Sequence, residues 1–219
     1  MESGFEVPGA GRVSALLTRP DEARRLYVLA HGAGAAMRHP FMERIAEALA
    51  GKGIATFRYQ FLYMEQGRKR PDPPVVATAT VRAALEAARE AAPGLPLIAG
   101  GKSFGGRMTS TAQAEEPLPG VQGLAFLGFP LHPPGRPGTG RAAHLERVHI
   151  PMLFLQGTRD TFAGLDLLQP VCEGLSPRAT LHPVDGGDHS FKVLKRSGRT
   201  EADVMEELAG AIADWTTKL

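Results

Sequence analysis

The short apolar run Leu97-Ile98-Ala99 breaks into Gly100-Gly101-Lys102-Ser103-Phe104-Gly105-Gly106, and no other stretch constrains the chain so tightly. A buried strand that ends in Gly-x-Ser-x-Gly must turn sharply into a helix, leaving the serine in a strained backbone conformation with its Oγ exposed. Side chains two positions before or after it would collide with the neighbouring strand and helix, so Gly101 and Gly105 are the residues expected there. The same letters contain Gly-Lys-Ser, but a phosphate-binding loop of the form Gly-x-x-x-x-Gly-Lys-Ser needs its first glycine at position 96. That position is Pro96, and residues 97–100 are taken by the strand itself. An ordinary serine in a glycine-rich turn is the remaining alternative, and the rest of the chain must decide between the two.

The chain in order alternates strands with helices. Gly4 to Val7 and Val13 to Thr18, separated by Pro8-Gly9-Ala10-Gly11, predict an N-terminal hairpin at a sheet edge. Six apolar strands follow, at Leu26–Ala30, Ile54–Phe57, Leu97–Gly100, Gly123–Leu127, Met152–Leu155 and Ala179–Val184. Helical periodicity lies between them, over Phe41–Gly51, Val75–Ala91, Gly105–Gln113 and Phe162–Leu175, and after them in a helix capped by Thr200 with Asp203. This βαβ pattern predicts an α/β fold, a mostly parallel central sheet with helices on both faces. With 219 residues, 43% of them hydrophobic, one domain spanning 1–219 is expected. No insertion is long enough for a lid domain.

Charge and cysteine content narrow the function classes. A net charge of +2 from 25 basic and 23 acidic residues leaves no basic stripe for nucleic acid. The single Cys172 excludes an internal disulfide, and no Cys/His cluster has metal-site spacing. No signal-peptide pattern and no apolar run near 18 residues is present, so a cytoplasmic protein with no membrane partner is expected, as a monomer or homodimer.

Ligands of open α/β sheets sit beyond the carboxyl ends of the strands. The residues at those ends include His31-Gly32-Ala33-Gly34, Ser103, Asp160 and His189. A serine hydroxyl needs a base to activate it, and the base needs a carboxylate to fix its tautomer. Ser103, Asp160 and His189 occur in the order expected when the serine sits on a strand-to-helix elbow. Asp185 and Asp188 compete for the acid role but are nearly contiguous with His189, which hinders an approach from behind its ring. Asp160 also has a simpler reading as a helix N-cap. The expected oxyanion donors are the backbone N–H groups of Ala33 and Phe104, with Gly34 as fallback for the first. His31 is expected to hydrogen-bond the glycine loop. Together with Gly34 it joins Tyr59, Phe61, Phe129 and His132, from two proline-containing loops, as the expected substrate-binding surface.

Taken together, His31-Gly32-Ala33-Gly34, Gly101-Lys102-Ser103-Phe104-Gly105-Gly106, Gly157-Thr158-Arg159-Asp160 and Asp188-His189-Ser190-Phe191 resemble the α/β-hydrolase superfamily. The match is closer to its small, lidless, dienelactone-hydrolase-like members. Met37–Met42, Arg58–Met64 and Gly128–Pro134 are similar to a sparsely characterised group of bacterial hydrolase-like proteins, itself similar to a domain of eukaryotic proteins, some chromatin-associated. The resemblance implies an α/β-hydrolase fold and catalytic roles for Ser103, Asp160 and His189. Dienelactone hydrolase itself uses a cysteine nucleophile where this chain has Ser103, so dienelactone is not implied as substrate. The reading is a serine hydrolase acting on small carboxylic esters or thioesters, without metal or cofactor. A catalytically silent scaffold that binds a protein partner is the alternative from another class.

Overall fold

The computed structural model describes residues 1–219. Its centre is one eight-stranded sheet in the order β1-β2-β4-β3-β5-β6-β7-β8. The hairpin β1 (Glu2–Val7) and β2 (Gly11–Thr18) adds to the sheet antiparallel, with β1 at the edge. The remaining strands are all parallel: β3 (Arg25–Ala30), β4 (Ile54–Tyr59), β5 (Leu97–Lys102), β6 (Val121–Leu127), β7 (Met152–Gly157) and β8 (Ala179–Val184). The helices are α1 (Pro40–Gly51), α2 (Leu62–Glu65), α3 (Pro74–Ala91), α4 (Phe104–Glu115), α5 (Leu165–Gly174) and α6 (Glu201–Thr216).

Because side chains alternate along a strand, each central strand feeds two cores. Leu26 and Val28 of β3, Leu124 and Phe126 of β6, and Met152 and Phe154 of β7 join one core with residues of α3, α4 and α5. Their neighbours Tyr27, Leu29, Ala125, Leu127, Leu153 and Leu155 join the other, with α1 and α6. Burial on both faces is why these strands read as continuous apolar runs rather than alternating ones. The capping box at Thr200 and Asp203 is present at the start of α6. Three short pieces escape the periodicity: α2, of four residues, and 3-10 helices over Gly140–Arg147 and Lys195–Ser197. Helix α5 starts at Leu165 rather than Phe162, with Gly164 at its N-cap, and the N–H of Phe162 is held by Asp160 Oδ1 at 2.8 Å.

The tightest packing lies where β5 turns into α4. A Cβ placed on Gly101 would stand 2.2 Å from the carbonyl oxygen of Ala30, and one on Gly105 2.5 Å from that of His31. These glycines let the elbow press directly on the backbone of β3. Between them Ser103 is held at φ 49°, one of two non-glycine residues with positive φ.

The loop after β3 is fixed from inside by His31. Its Nε2 accepts the N–H of Phe61 at 3.0 Å, which leaves Nδ1 to carry the hydrogen and donate to Gly32 O at 2.8 Å. The ring is fully buried, and burial pushes its pKa down to about 4. His31 therefore supports the loop from below and does not join the substrate-binding surface expected of it.

Two consequences are measurable. Gly101→Ala should lower unfolding stability by roughly 3 kcal/mol or more, because the φ of 145° and the backbone contact both oppose a Cβ. An unchanged denaturation midpoint would contradict the close approach. For His31, the unfolded chain binds a proton near the ordinary value of 6.5 while the folded chain resists until about 4. Its contribution to stability is complete above pH 6.5 and is lost as pH falls toward 4, by roughly 3 kcal/mol. Urea denaturation from pH 7 to 4 should show a shallower loss in His31→Gln, whose amide oxygen can still accept the Phe61 N–H.

Candidate active site

The elbow brings Ser103 to the carboxyl edge of the sheet, beside the loops that follow β7 and β8. His189 Nε2 lies 2.9 Å from Ser103 Oγ, and His189 Nδ1 lies 2.7 Å from Asp160 Oδ2. A carboxylate only accepts, so Nδ1 carries the ring hydrogen and Nε2 accepts from the serine hydroxyl. Phe162 lies against the imidazole, with ring centroids 4.3 Å apart.

Asp160 is 3% exposed. A buried carboxylate must be compensated, and here its donors converge from several directions. Oδ2 accepts from Gln156 Nε2 at 2.6 Å as well as from His189, and Oδ1 accepts the N–H of Phe162. Gln156 is itself fixed, its Oε1 accepting the N–H of Phe129 at 2.9 Å. The Asp160 carboxylate thus lies behind the His189 ring while also making the short loop contact typical of a capping aspartate. Asp188 has a different task. Its Oδ1 accepts the N–H groups of Ser190 and Lys192, shaping the loop in which Phe191 adopts φ 61°.

Of the two candidate donors in the glycine loop, Gly34 is already engaged, its N–H donating to Tyr63 Oη at 3.1 Å. The N–H of Ala33 meets no acceptor within the chain. Phe104 is the first residue of α4, so its N–H has no partner one turn back in the helix. Both Ala33 and Ser103 line a cavity of about 460 Å³. Its apolar walls are Phe41 and Met42 of α1, Phe191, and Met205 of α6. The rings of Phe41 and Phe191 stack at 5.8 Å, 13° from parallel.

Those walls correct the sequence expectation. Tyr59, Phe61, Phe129 and His132 are all buried and none lines the cavity. Tyr59 is buried as the last residue of β4, paired with Ala15 and Ala30, and Phe61 turns inward because the segment after β4 is anchored on both sides. Asp72 accepts the N–H of Tyr63 at 2.9 Å, and Glu65 accepts the N–H of Ser14. Phe61 then packs edge-on against His31 and Phe104, and Phe129 against Phe126 and Phe154. The ring of His132 folds back onto its own chain, with Nδ1 2.9 Å from Pro133 O. These residues support the elbow and the sheet edge without walling the space above the serine.

A second serine–histidine pair shows what the first has that it lacks. Ser110 Oγ and His144 Nε2 are 2.8 Å apart, but Ser110 is buried and donates to Arg107 O. Burial and the charges of Arg107 and Arg147 push the pKa of His144 down to about 4. With cations rather than a carboxylate beside it, this pair has no group to stabilise an imidazolium.

Lys102, missed as a site residue in the sequence, lines the cavity while remaining 9% exposed. Its Nζ donates to the backbone carbonyl of His189 at 2.5 Å, and burial pushes its pKa down to about 8 against the opposing pull of Asp160 and Asp188. Gln156 left a readable trace, a polar residue closing the apolar run of β7. Phe41, Phe191 and Met205 left none.

Comparison with known proteins agrees with this architecture. A Mycobacterium tuberculosis protein provisionally named a phosphoribosyl transferase is 29% identical over 214 residues, which are 95% of this chain and 44% of that protein. The chain therefore spans less than half the length of that relative. A Xanthomonas campestris serine hydrolase described as having no lid superposes with a TM-score of 0.76 at 20% identity, over 98% of this chain and 94% of that one. Dienelactone hydrolase from Anabaena variabilis gives 0.74 at 20% identity, over 100% and 97%. Residues 23–217 match the family described as the alpha/beta hydrolase domain, and the chain, which adds no lid to that fold, belongs to this family.

Proposed function

We propose that this protein is a serine hydrolase that cleaves small carboxylic esters or thioesters through an acyl-enzyme, with Ser103, His189 and Asp160 as its catalytic residues. The observation that carries the reading is the unbroken relay from Ser103 Oγ through both nitrogens of His189 to the buried Asp160 carboxylate. His189 Nε2 takes the hydroxyl proton as Oγ bonds to the acyl carbon. Asp160 stays ionised and stabilises the imidazolium. The developing oxyanion is met by the N–H groups of Ala33 and Phe104, each worth roughly 3–4 kcal/mol to the transition state. The imidazolium then protonates the departing alcohol or thiol. Water, deprotonated by His189, releases the acid and restores Ser103.

A cavity of about 460 Å³, walled by two helix ends and a loop, favours a short acyl group. The names of the lidless serine hydrolase and the dienelactone hydrolase point to the same reaction class. The phosphoribosyl transferase name belongs to a mycobacterial relative of which this chain covers 44%, and it is said of that longer protein alone.

Ser103→Ala should abolish both fluorophosphonate labelling and turnover of p-nitrophenyl acetate. Asp160→Asn should lower kcat by about 10⁴, because the amide favours the wrong imidazole tautomer. Absence of labelling in well-folded native protein would overturn the reading and favour the silent scaffold. Acetate and butyrate esters should be turned over faster than long-chain acyl esters, and the reverse order would contradict the small acyl site.

A further inference from the structure

Lys102 is one residue before the nucleophile, and its side chain runs beneath the site instead of out to solvent. The ammonium reaches the place where the ends of β5 and β6 meet the loops after β7 and β8. A Cβ on Gly128, at the end of β6, would stand 3.0 Å from Lys102 Nζ, 3.4 Å from His189 O and 3.5 Å from Asp160 Oδ2. All three groups thus share one small space that the absent side chain of Gly128 leaves open. Above it, Nζ lies 5.9 Å from the ring centroid of Phe41 and 5.4 Å from that of Phe191, within cation–π range. The carboxylates of Asp160 and Asp188 are the anions that favour its charge.

A buried ammonium is costly unless it is held by acceptors and opposite charge. What holds this one is the main chain of His189, at 2.5 Å. The two residues whose side chains must stay 2.9 Å apart, Ser103 and His189, are therefore also joined underneath, through the residue adjacent to the first and the carbonyl of the second. A main-chain displacement at His189 would move its Nε2 away from Oγ, and misplacement by about 1 Å is enough to slow a reaction about 100-fold.

We propose, resting on the serine-hydrolase reading above, that Lys102 is a positioning residue: its ammonium anchors the His189 main chain to the elbow and so keeps Nε2 in reach of Ser103 Oγ throughout turnover. Its ammonium is hydrogen-bonded to the His189 carbonyl and to neither Ser103 Oγ nor the His189 ring. The same contact holds the Phe41 and Phe191 rings over the ammonium, so one side chain fixes both the base and the adjacent cavity wall.

The test compares native protein with Lys102→Met and Lys102→Arg, using p-nitrophenyl acetate kinetics together with amide hydrogen exchange across residues 186–192. Lys102→Met should fold, lose kcat by about 10- to 100-fold with KM within about twofold, and exchange faster across that loop. Lys102→Arg, which keeps a cationic donor, should restore part of both losses. If Lys102→Met does not fold, Lys102→Ala, equally unable to donate to the His189 carbonyl, is measured in its place. Native kcat and native exchange in the neutral variant would overturn the proposal. So would a loss confined to KM, which would make Lys102 a substrate contact. Failure of the hydrolase reading is visible separately, as absent labelling of native protein. The exchange comparison would then still decide whether Lys102 anchors the loop.

Discussion

The contact of the elbow with β3 is the constraint on which the rest of the site depends. Backbone approaches this close, with the Gly101 Cβ position 2.2 Å from one carbonyl and that of Gly105 2.5 Å from the next, exist only where no side chain intervenes. They seat the start of α4 against the sheet and hold Ser103 in a conformation that an unsupported chain would leave. The positive φ of Ser103 is therefore maintained by packing among residues with no part in the chemistry. The glycine loop gains its place from the same junction, since it continues β3, the strand against which the elbow rests.

Around that fixed point the polar groups form a closed set. Asp160 is surrounded by donors from a strand end, a loop amide and an imidazole, and Gln156 is in turn tied to the Phe129 main chain. His31 performs the corresponding task for the glycine loop with one acceptor and one donor. Such fully satisfied networks specify one arrangement, because any displacement leaves a buried group unpaired. Lys102 extends the set to the main chain of His189.

Much of this was legible in the residues, and the reasons differ by element. The central parallel strands β3, β6 and β7 announced themselves because burial on both faces leaves them almost uniformly apolar, whereas β8, at the sheet edge, is mostly only partly buried. The elbow did so because Gly-x-Ser-x-Gly encodes a local steric demand. The meeting of Asp160 and His189 with Ser103 was readable from their strand-end positions and their order in the chain. The cavity wall was not. Phe41 and Phe191 stand 150 positions apart in the chain and stack only because α1 and the loop after β8 meet in space. Conversely, Tyr59, Phe61 and Phe129 read as exposed loop aromatics, although Tyr59 closes the buried strand β4 and anchors such as Asp72 and Gln156 hold the segments of Phe61 and Phe129 inward. The direction a loop side chain takes depends on partners far away in the sequence, and local pattern carries no record of them.

The division of labour between strand ends and helix ends has a further implication. Ser103, Asp160 and His189 are carried by the sheet and its immediate loops, whereas the wall residues Phe41 and Met42 sit in the first turn of α1 and Met205 in the second turn of α6. Substitutions in those turns can reshape what the cavity admits while leaving the strand registers and both cores beneath them in place. In this scaffold the shape of the cavity can drift independently of the serine, histidine and aspartate beneath it, and the two helix openings are where divergence among related chains should accumulate.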